Sequence, residues 1–320
     1  MITVFGSLNM DILFSVEELP KPGQTILCPH YKLSPGGKGA NQAVAAARSL
    51  PTHQEASVFF YGKVGEDAFG NTLLEGLEKD SICTKGVQRS KNPTGCASIY
   101  VDKKAENAIV VASGANLDVS HSQVPDDKLS EEGLLLLQLE TPLLENWALT
   151  QRAYTKKCPI LLNAAPAFPI PLNILKCLTT LVLNEREAHM TAQNLNLSFS
   201  SLKDLAGQLA LVFKGTCVIT LGPQGLIAAT PDVTYTLEAF KITPCDTTGA
   251  GDTFTGALAA QVSQQIPLPS ALRYASLASS LACLKEGAQP SIPFFKEVNE
   301  KLPLMFTPQE EKNASIAPSF

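Results

Sequence analysis

The chain has 320 residues, 45% of them hydrophobic, and a formal net charge of −5. That length suits one large α/β domain or two modest ones at roughly 100–200 residues each, with enough apolar material for a sizeable core. The acidic balance excludes a general nucleic-acid surface, which needs a basic stripe, and no apolar run approaches the ~20 residues that cross a bilayer.

The N-terminal MITVFGSLNMD goes straight into a strand-like segment, with no basic region ahead of an apolar stretch, so a cytoplasmic location without a signal peptide is expected. The run ITVFG (2–6) is an apolar strand, ANQAVAAARSL (40–50) an alanine-rich helix, and ASVFFYGKVG (56–65) a buried strand with its exit. Helical spacing of Phe69, Leu73, Leu74 and Leu77 marks 67–80. GLLLLQLE (133–140) is a buried strand followed by a helix over 141–157; PILLNAAP (159–166) and TTLVLN (179–184) are two more strands. Helices follow at 185–193 and 200–215, a strand at TCVITLG (216–222), and two long helices at 250–265 and 268–285. Continuous apolar strands alternating with helices indicate a parallel sheet covered on both faces.

Two segments break this rhythm. Residues 12–34, with a PKPG turn, and residues 94–112, around DKKAEN, alternate apolar and polar side chains. Period-two alternation predicts strands with one open face, here a small accessory sheet beside the main domain. No linker or internal repeat is visible. The organisation expected is a single domain over 1–306 with these strands inserted, and a loose polar tail over 307–320.

Eight cysteines, at 28, 83, 96, 158, 177, 217, 245 and 283, form no CxxC pair and sit mostly in apolar segments, as free buried thiols of a reducing compartment do. His30, His53, His121 and His189 are too scattered for a metal-ligand pattern and are expected at the surface.

In open α/β sheets, ligands bind beyond the carboxyl ends of the strands. Polar residues gather there: Asn9 and Asp11 after the first strand, Glu140 after LLLLQLE, Asn163 after PILLN, Asn184 and Glu187 after TTLVLN, Thr220 and Gly222 after VITLG. Neither GxxxxGK[ST] nor GxGxxG is present. Instead, two glycine-rich turns lead into helices: SPGGKGANQAVAAA (34–47), containing Lys38 and Asn41, and CDTTGAGDTFTGALAA (245–260). A helix N-terminus favours an anion. Asp252 could be that anion, capping its own helix, or could stand beside a ligand's phosphate for chemistry. Two such turns together with polar strand ends fit two small-molecule subsites better than two coincidental bends.

GGKGANQAVAAA and DTTGAGDTFTGAL resemble the two signatures of the ribokinase-like, PfkB-type carbohydrate kinases, and the similarity extends over about residues 1–300. The segments GSLNMD, GGKGANQA, GAN (114–116), QLETPL, LNAAPA, NEREA, ITLGPQG and KEGAQPSIP favour a ribose-phosphorylating member over the fructose and nucleoside branches. The resemblance implies a three-layer α/β fold with a mostly parallel sheet and a β-sheet lid that also serves as a homodimer contact. It implies ATP-dependent phosphorylation of D-ribose at its 5-hydroxyl, with fructose, deoxyribose or adenosine as alternative acceptors and a catalytically silent binding protein as the distant rival. The absent dinucleotide fingerprint disfavours a dehydrogenase.

It also implies roles. Asp252 corresponds to the catalytic base, and the N–H groups of Gly249, Ala250 and Gly251 to an anion hole. Asn9, Asp11, Gly37, Lys38, Asn41 and Glu140 fall on sugar-binding positions. Asn184 and Glu187 match an NxxE motif associated with Mg²⁺ and phosphate, and Thr220, Gly222 and Gly225 fall on nucleotide contacts. Asp246, Thr248, Ala282, Lys285, Gly287 and Ser291 match loops that hold a monovalent cation, usually K⁺. Three positions depart from the pattern: Glu286 beside the cation loop, Ser276 where a larger polar residue is common near adenine, and Ala164 where LNPAPA is common.

Overall fold

The computed structural model describes residues 1–51, 57–104 and 106–313. The strands are β1 (Ile2–Phe5), β2 (Asn9–Ser15), β3 (Tyr31–Gly36), β4 (Val58–Gly65), β5 (Cys83–Ser90), β6 (Gly95–Val101), β7 (Asn107–Ala112), β8 (Leu134–Leu137), β9 (Ile160–Asn163), β10 (Thr180–Asn184), β11 (Thr216–Thr220), β12 (Leu226–Ala229), β13 (Val233–Leu237) and β14 (Gln309–Lys312). The helices are α1 (Lys38–Arg48), α2 (Ala68–Lys79), α3 (Leu143–Thr155), α4 (Leu172–Leu175), α5 (Glu185–Asn194), α6 (Leu202–Phe213), α7 (Ala250–Ser263), α8 (Leu268–Ala282) and α9 (Phe295–Lys301).

Ten strands form one sheet in the order β14-β13-β12-β11-β10-β9-β8-β1-β4-β5. From β5 to β11 every neighbouring pair is parallel; β12, β13 and β14 extend the far edge antiparallel. The central strands β1, β8 and β9 are buried along their whole length, as their nearly continuous apolar runs require. Helices α1, α2, α7, α8 and α9 contribute to the core on one face, and α3 to α6 to the core on the other. This is the three-layer architecture expected.

The four strands of the second sheet run β3-β2-β6-β7. Its strands are shorter than expected on one side: of residues 12–34, only those up to Ser15 and from Tyr31 onward are strand, and the apolar TILC (25–28) is not. The PKPG turn therefore belongs to a long irregular connection rather than to a tight hairpin. Ala105 of the DKKAEN segment, His53 and the tail beyond residue 313 lie outside the described residues.

The chain end departs from expectation. Gln309–Lys312 is exposed throughout, yet it pairs antiparallel with β13, and Asn313 donates to the carbonyls of Thr230 and Pro231. An edge strand can be wholly polar because its hydrogen bonds are to the backbone, and charged edges discourage further pairing. The cysteines are all free, as expected, but only Cys158, Cys217 and Cys283 are buried, and Cys245 is exposed.

Helices α1 and α7 cross where Gly256 has no side chain. A Cβ there would stand 2.2 Å from the Gln42 carbonyl oxygen and 2.6 Å from the Ala45 Cβ. Gly256→Ala is expected to force the helices apart at a cost of about 1–3 kcal/mol, read as a lower denaturation midpoint at unchanged slope. An unchanged midpoint would mean that the crossing has slack.

Candidate active site

The carboxyl ends of β1, β8, β9, β10 and β11 converge with the N-termini of α1 and α7. Gly37 precedes α1 at φ 89° and Gly249 precedes α7 at φ 74°. At each position the left-handed backbone favours glycine, and at Gly37 a Cβ would also meet the Asn9 nitrogen at 2.7 Å. These two conformations aim both helix N-termini at the same space. Lys38, Asn184, Glu187, Thr220, Gly249, Ala250, Gly251 and Asp252 line one cleft together with Asn163. Thr220, Ala250 and Gly251 also line an adjoining recess with Gly222, Gly225 and Ser276.

Asp252 is buried in the first turn of α7, but it does not cap that helix: the N-cap is Gly249, with no side-chain cap bond. Its carboxylate turns instead toward α1. Asn41 Nδ2 donates to one oxygen at 2.9 Å and Gln42 Nε2 to the other at 3.0 Å. Gln42 Nε2 also donates to Asn163 Oδ1 at 2.9 Å, and Gln289 Nε2 donates to Asn41 Oδ1 at 3.2 Å. Asn41, expected on the sugar, thus uses one hydrogen of its Nδ2 and one acceptor site of its Oδ1 within the protein and keeps a second N–H for a ligand. Among the three N–H groups of the expected anion hole, that of Ala250 makes a long 3.2 Å bond to the Thr247 carbonyl.

On the other side of the cleft, Glu140 Oε2 accepts from Ser7 Oγ at 2.6 Å and from the Lys38 N–H at 2.9 Å. This ties β8 to the start of α1. Asp11 lies on β2 of the small sheet, its carboxylate filling the space that a side chain on Gly36 would take. Burial first, then the negative charges of Glu140 and Asp252, push its carboxyl up to about 7. Lys38 answers the same field: Asp252 above all, with Glu140 and Glu187, holds its ammonium above the ordinary lysine value despite burial. Asn9 is buried, and its Oδ1 accepts from Asn116 Nδ2 at 2.8 Å; Asn116 also bonds both main-chain groups of Leu8.

Asn184 and Glu187 form a reciprocal capping box at the start of α5. Asn184 Oδ1 accepts the Glu187 N–H, and the Glu187 carboxylate accepts both the Asn184 N–H and its Nδ2, each at 2.8 Å. Burial raises the Glu187 carboxyl; the Asn184 bond and Lys38 counter it, and Asp252 adds to it. Thr220 ends β11, and Gly222 and Gly225 bracket the turn into β12 at φ 56° and 102°.

The loops matched to a cation site do lie together. The Cys245 N–H donates to the Cys283 carbonyl at 2.7 Å, next to Ala282. Asp246 accepts from the Thr248 N–H at 2.9 Å and the Gly287 N–H at 2.8 Å. Burial pushes its carboxyl up, but these bonds and the Lys32 charge outweigh it and hold it below the usual range. Ser291 is fully buried, its hydroxyl donating to Ala288. The Lys285 ammonium pairs with Glu297 at 3.1 Å. Glu286 points outward to Lys32 of β3, at 3.3 Å.

The site also contains residues to which the sequence analysis gave no role: Ser7, Gln42, Asn116 and Gln289. All four stand inside quoted segments (GSLNMD, GGKGANQA, GAN and KEGAQPSIP), which was the available signal.

The profile of the pfkB family carbohydrate kinases matches residues 1–294. The chain belongs to the pfkB family of carbohydrate kinases. This carbohydrate kinase is 36% identical over 309 residues to the ribokinase of Haemophilus influenzae, covering 94% of this chain and 98% of that one. Its fold superposes on the crystal structure of ribokinase from Thermotoga maritima with a TM-score of 0.87 at 32% identity, covering 94% and 99% of the two chains. Against the Arabidopsis thaliana ribokinase complexed with ribose and ATP, the TM-score is 0.83 at 30% identity, covering 94% and 98%. No helix among the described residues of this kinase is long and apolar enough to cross a membrane.

Proposed function

We propose that the chain transfers the γ-phosphoryl group of ATP to the 5-hydroxyl of D-ribose, giving ribose 5-phosphate and ADP. The observation that carries this reading is the setting of Asp252. Its carboxylate stands in the cleft at the N-terminus of α7, off the helix cap and held by two amides. A carboxylate so placed can accept the proton of a primary hydroxyl as that oxygen attacks. The N–H groups at 249–251 would receive the charge that moves onto the γ-phosphate; a donor well aimed at developing charge is worth roughly 3–4 kcal/mol in the transition state. Asp11, Lys38, Asn41, Glu140 and Asn9 would fix the sugar by its other hydroxyls. Such recognition is demanding because a missing hydroxyl leaves a buried partner unpaired. The recess beside Gly222, Gly225 and Ser276 would take the nucleotide.

The residues present fit both ions. Glu187 is a buried carboxylate whose charge burial disfavours, in the cleft with Asp252, so a magnesium–ATP complex nearby would relieve it. Bound Mg²⁺ supplies charge neutralisation on the phosphates. Asp246 keeps an anionic charge where its loop meets Gly287, with Ala282 at the end of α8 and Ser291 at the end of a short helical turn, 289–291, on either side of Gly287. A K⁺ ion there would be held by backbone oxygens, with Asp246, Thr248, Lys285 and Gly287 shaping the loops. Replacing K⁺ by a bulky organic cation is expected to lower turnover, and an unchanged rate would mean that these loops hold no ion. A cytoplasmic homodimer through the small sheet fits the exposed Tyr31, Leu33, Ile109, Val110 and Val111.

A coupled ADP-release assay with Mg-ATP and K⁺ tests the whole reading, run against D-ribose, 2-deoxyribose, fructose, adenosine and a blank. Ribose-dependent turnover is expected. Preference for another acceptor would keep the chemistry and overturn the sugar assignment.

A further inference from the structure

Gln42 is fully buried on α1, and among the described residues it is the one side chain bonded to both Asp252 and the end of a central strand. Its orientation is set from outside. Asn163 Nδ2 donates to the Val182 carbonyl in β10 at 3.2 Å, which leaves Asn163 Oδ1 facing Gln42. Gln42 must therefore present its NH₂, one hydrogen to Asn163 and the other to Asp252. Its Oε1 has no protein partner among the described residues. An unpaired buried group of this kind destabilises the fold, a cost that an apolar side chain of similar size would avoid. Both N–H bonds are made while the oxygen goes without, so the donor end is the useful one. The reach across to Asp252 depends on the close crossing of α1 and α7, where the Gln42 carbonyl lies 2.2 Å from the position of a Gly256 Cβ. A mirror arrangement serves the other carboxylate oxygen, with Gln289 orienting Asn41.

We propose that Gln42, oriented by Asn163, is a positioning residue that fixes the Asp252 carboxylate for proton transfer. This rests on the reading of Asp252 as the base. The charged groups around it are Lys38 at the start of α1, Asp11 on β2 and Glu187 on α5, each of which feels the Asp252 charge, and Glu140 after β8, which acts on Asp11 and Lys38. Gln42 differs from all of them in being uncharged and hydrogen-bonded to the carboxylate.

The test is a double-mutant cycle joined to a titration. Gln42→Leu is expected to lower kcat about 10–100-fold, as small misplacements of a reacting group do, with the KM for sugar and for ATP within about threefold. In an Asp252→Asn background, the same change is expected to cost nothing further. Equal losses in both backgrounds, or a rise in both KM values in step with lost stability, would reduce Gln42 to core filling. The second readout needs no substrate: the titration midpoint of the Asp252 carboxyl, followed by carbon NMR in the free protein. Removing a hydrogen bond to the charged form raises that midpoint in Gln42→Leu, and an unmoved midpoint overturns the inference. If the wild-type protein phosphorylates none of the acceptors, the functional reading fails while the NMR result still decides whether Gln42 controls this carboxylate. Should Gln42→Leu not fold, Asn163→Ala frees Gln42 to turn and is expected to move the midpoint the same way.

Discussion

Asp252→Asn is expected to lower kcat by about 10²–10⁴-fold, the range that a positioned general base contributes, while sugar and ATP still bind. The substitution is nearly isosteric, so the cleft keeps its shape. What changes is the hydrogen-bond arithmetic. The carboxylate accepts from Asn41 on one oxygen and from Gln42 on the other. An asparagine can accept on one side only and sets a donor against a donor on the other. A local cost of about 1–3 kcal/mol for that unpaired group is expected, visible as a modest fall in melting temperature. The loss of rate goes well beyond this, because the amide cannot take the hydroxyl proton at all. The coupled assay gives kcat, and calorimetric titration with sugar and with ATP gives the two affinities. Near wild-type turnover would remove Asp252 from the role of base; loss of both affinities would make it a structural residue of the cleft.

The sequence made the centre of this fold legible and left its margins obscure, for a physical reason. β1, β8 and β9 are buried on both faces, so they read as nearly continuous apolar runs, interrupted only by Thr3 and Asn163. β5 (CTKGVQRS) is an edge strand with several polar side chains, β12 and β13 are short, and β14 (QEEK) is wholly exposed. Backbone pairing, which leaves no mark on composition, makes these strands. The irregular stretch from residue 16 to 30 shows the converse: TILC has strand-like side chains but pairs with no strand among the described residues.

The site divides the same way. The glycine turns at Gly37 and Gly249 could be read, because a left-handed backbone demands a particular residue. The amides around Asp252 could not. Gln42 meets its partners 121 and 210 positions away, and Gln289 meets Asn41 across 248. Nothing local distinguishes such an amide from a surface one. The question of whether Asp252 caps its own helix likewise had two local answers, and only the packing of α7 against α1 separates them.

Asp11→Ala is expected to raise the KM for ribose by an order of magnitude or more and to leave the KM for ATP nearly unchanged. Asp11 stands on β2 in the small sheet, away from the recess beside Gly222 and Gly225. A buried carboxylate that loses its bound hydroxyls, or a bound sugar that loses its carboxylate, costs about 1.5–3 kcal/mol per charged hydrogen bond. The same residue predicts a pH dependence. Its carboxyl is pushed up to about 7 by burial, Glu140 and Asp252. If the sugar binds the ionised form, the KM for ribose rises as pH falls below about 7, and Asp11→Asn flattens that dependence. Stability moves the opposite way to the usual carboxylate. The folded state holds the proton between the ordinary carboxyl value of 3.8 and about 7, while the unfolded chain releases it. Stability contributed by the protonated form is therefore present at low pH and is lost as pH rises through that window. Asp11→Asn, which carries no charge at any pH, is expected to raise the melting temperature at pH 8 and to leave it unchanged near pH 3. Equal effects on both KM values would move Asp11 out of the sugar subsite. A melting temperature that falls at pH 8 would mean that the carboxylate is compensated in the folded protein, and that the strained charge at the base of the small sheet is not what sugar binding relieves.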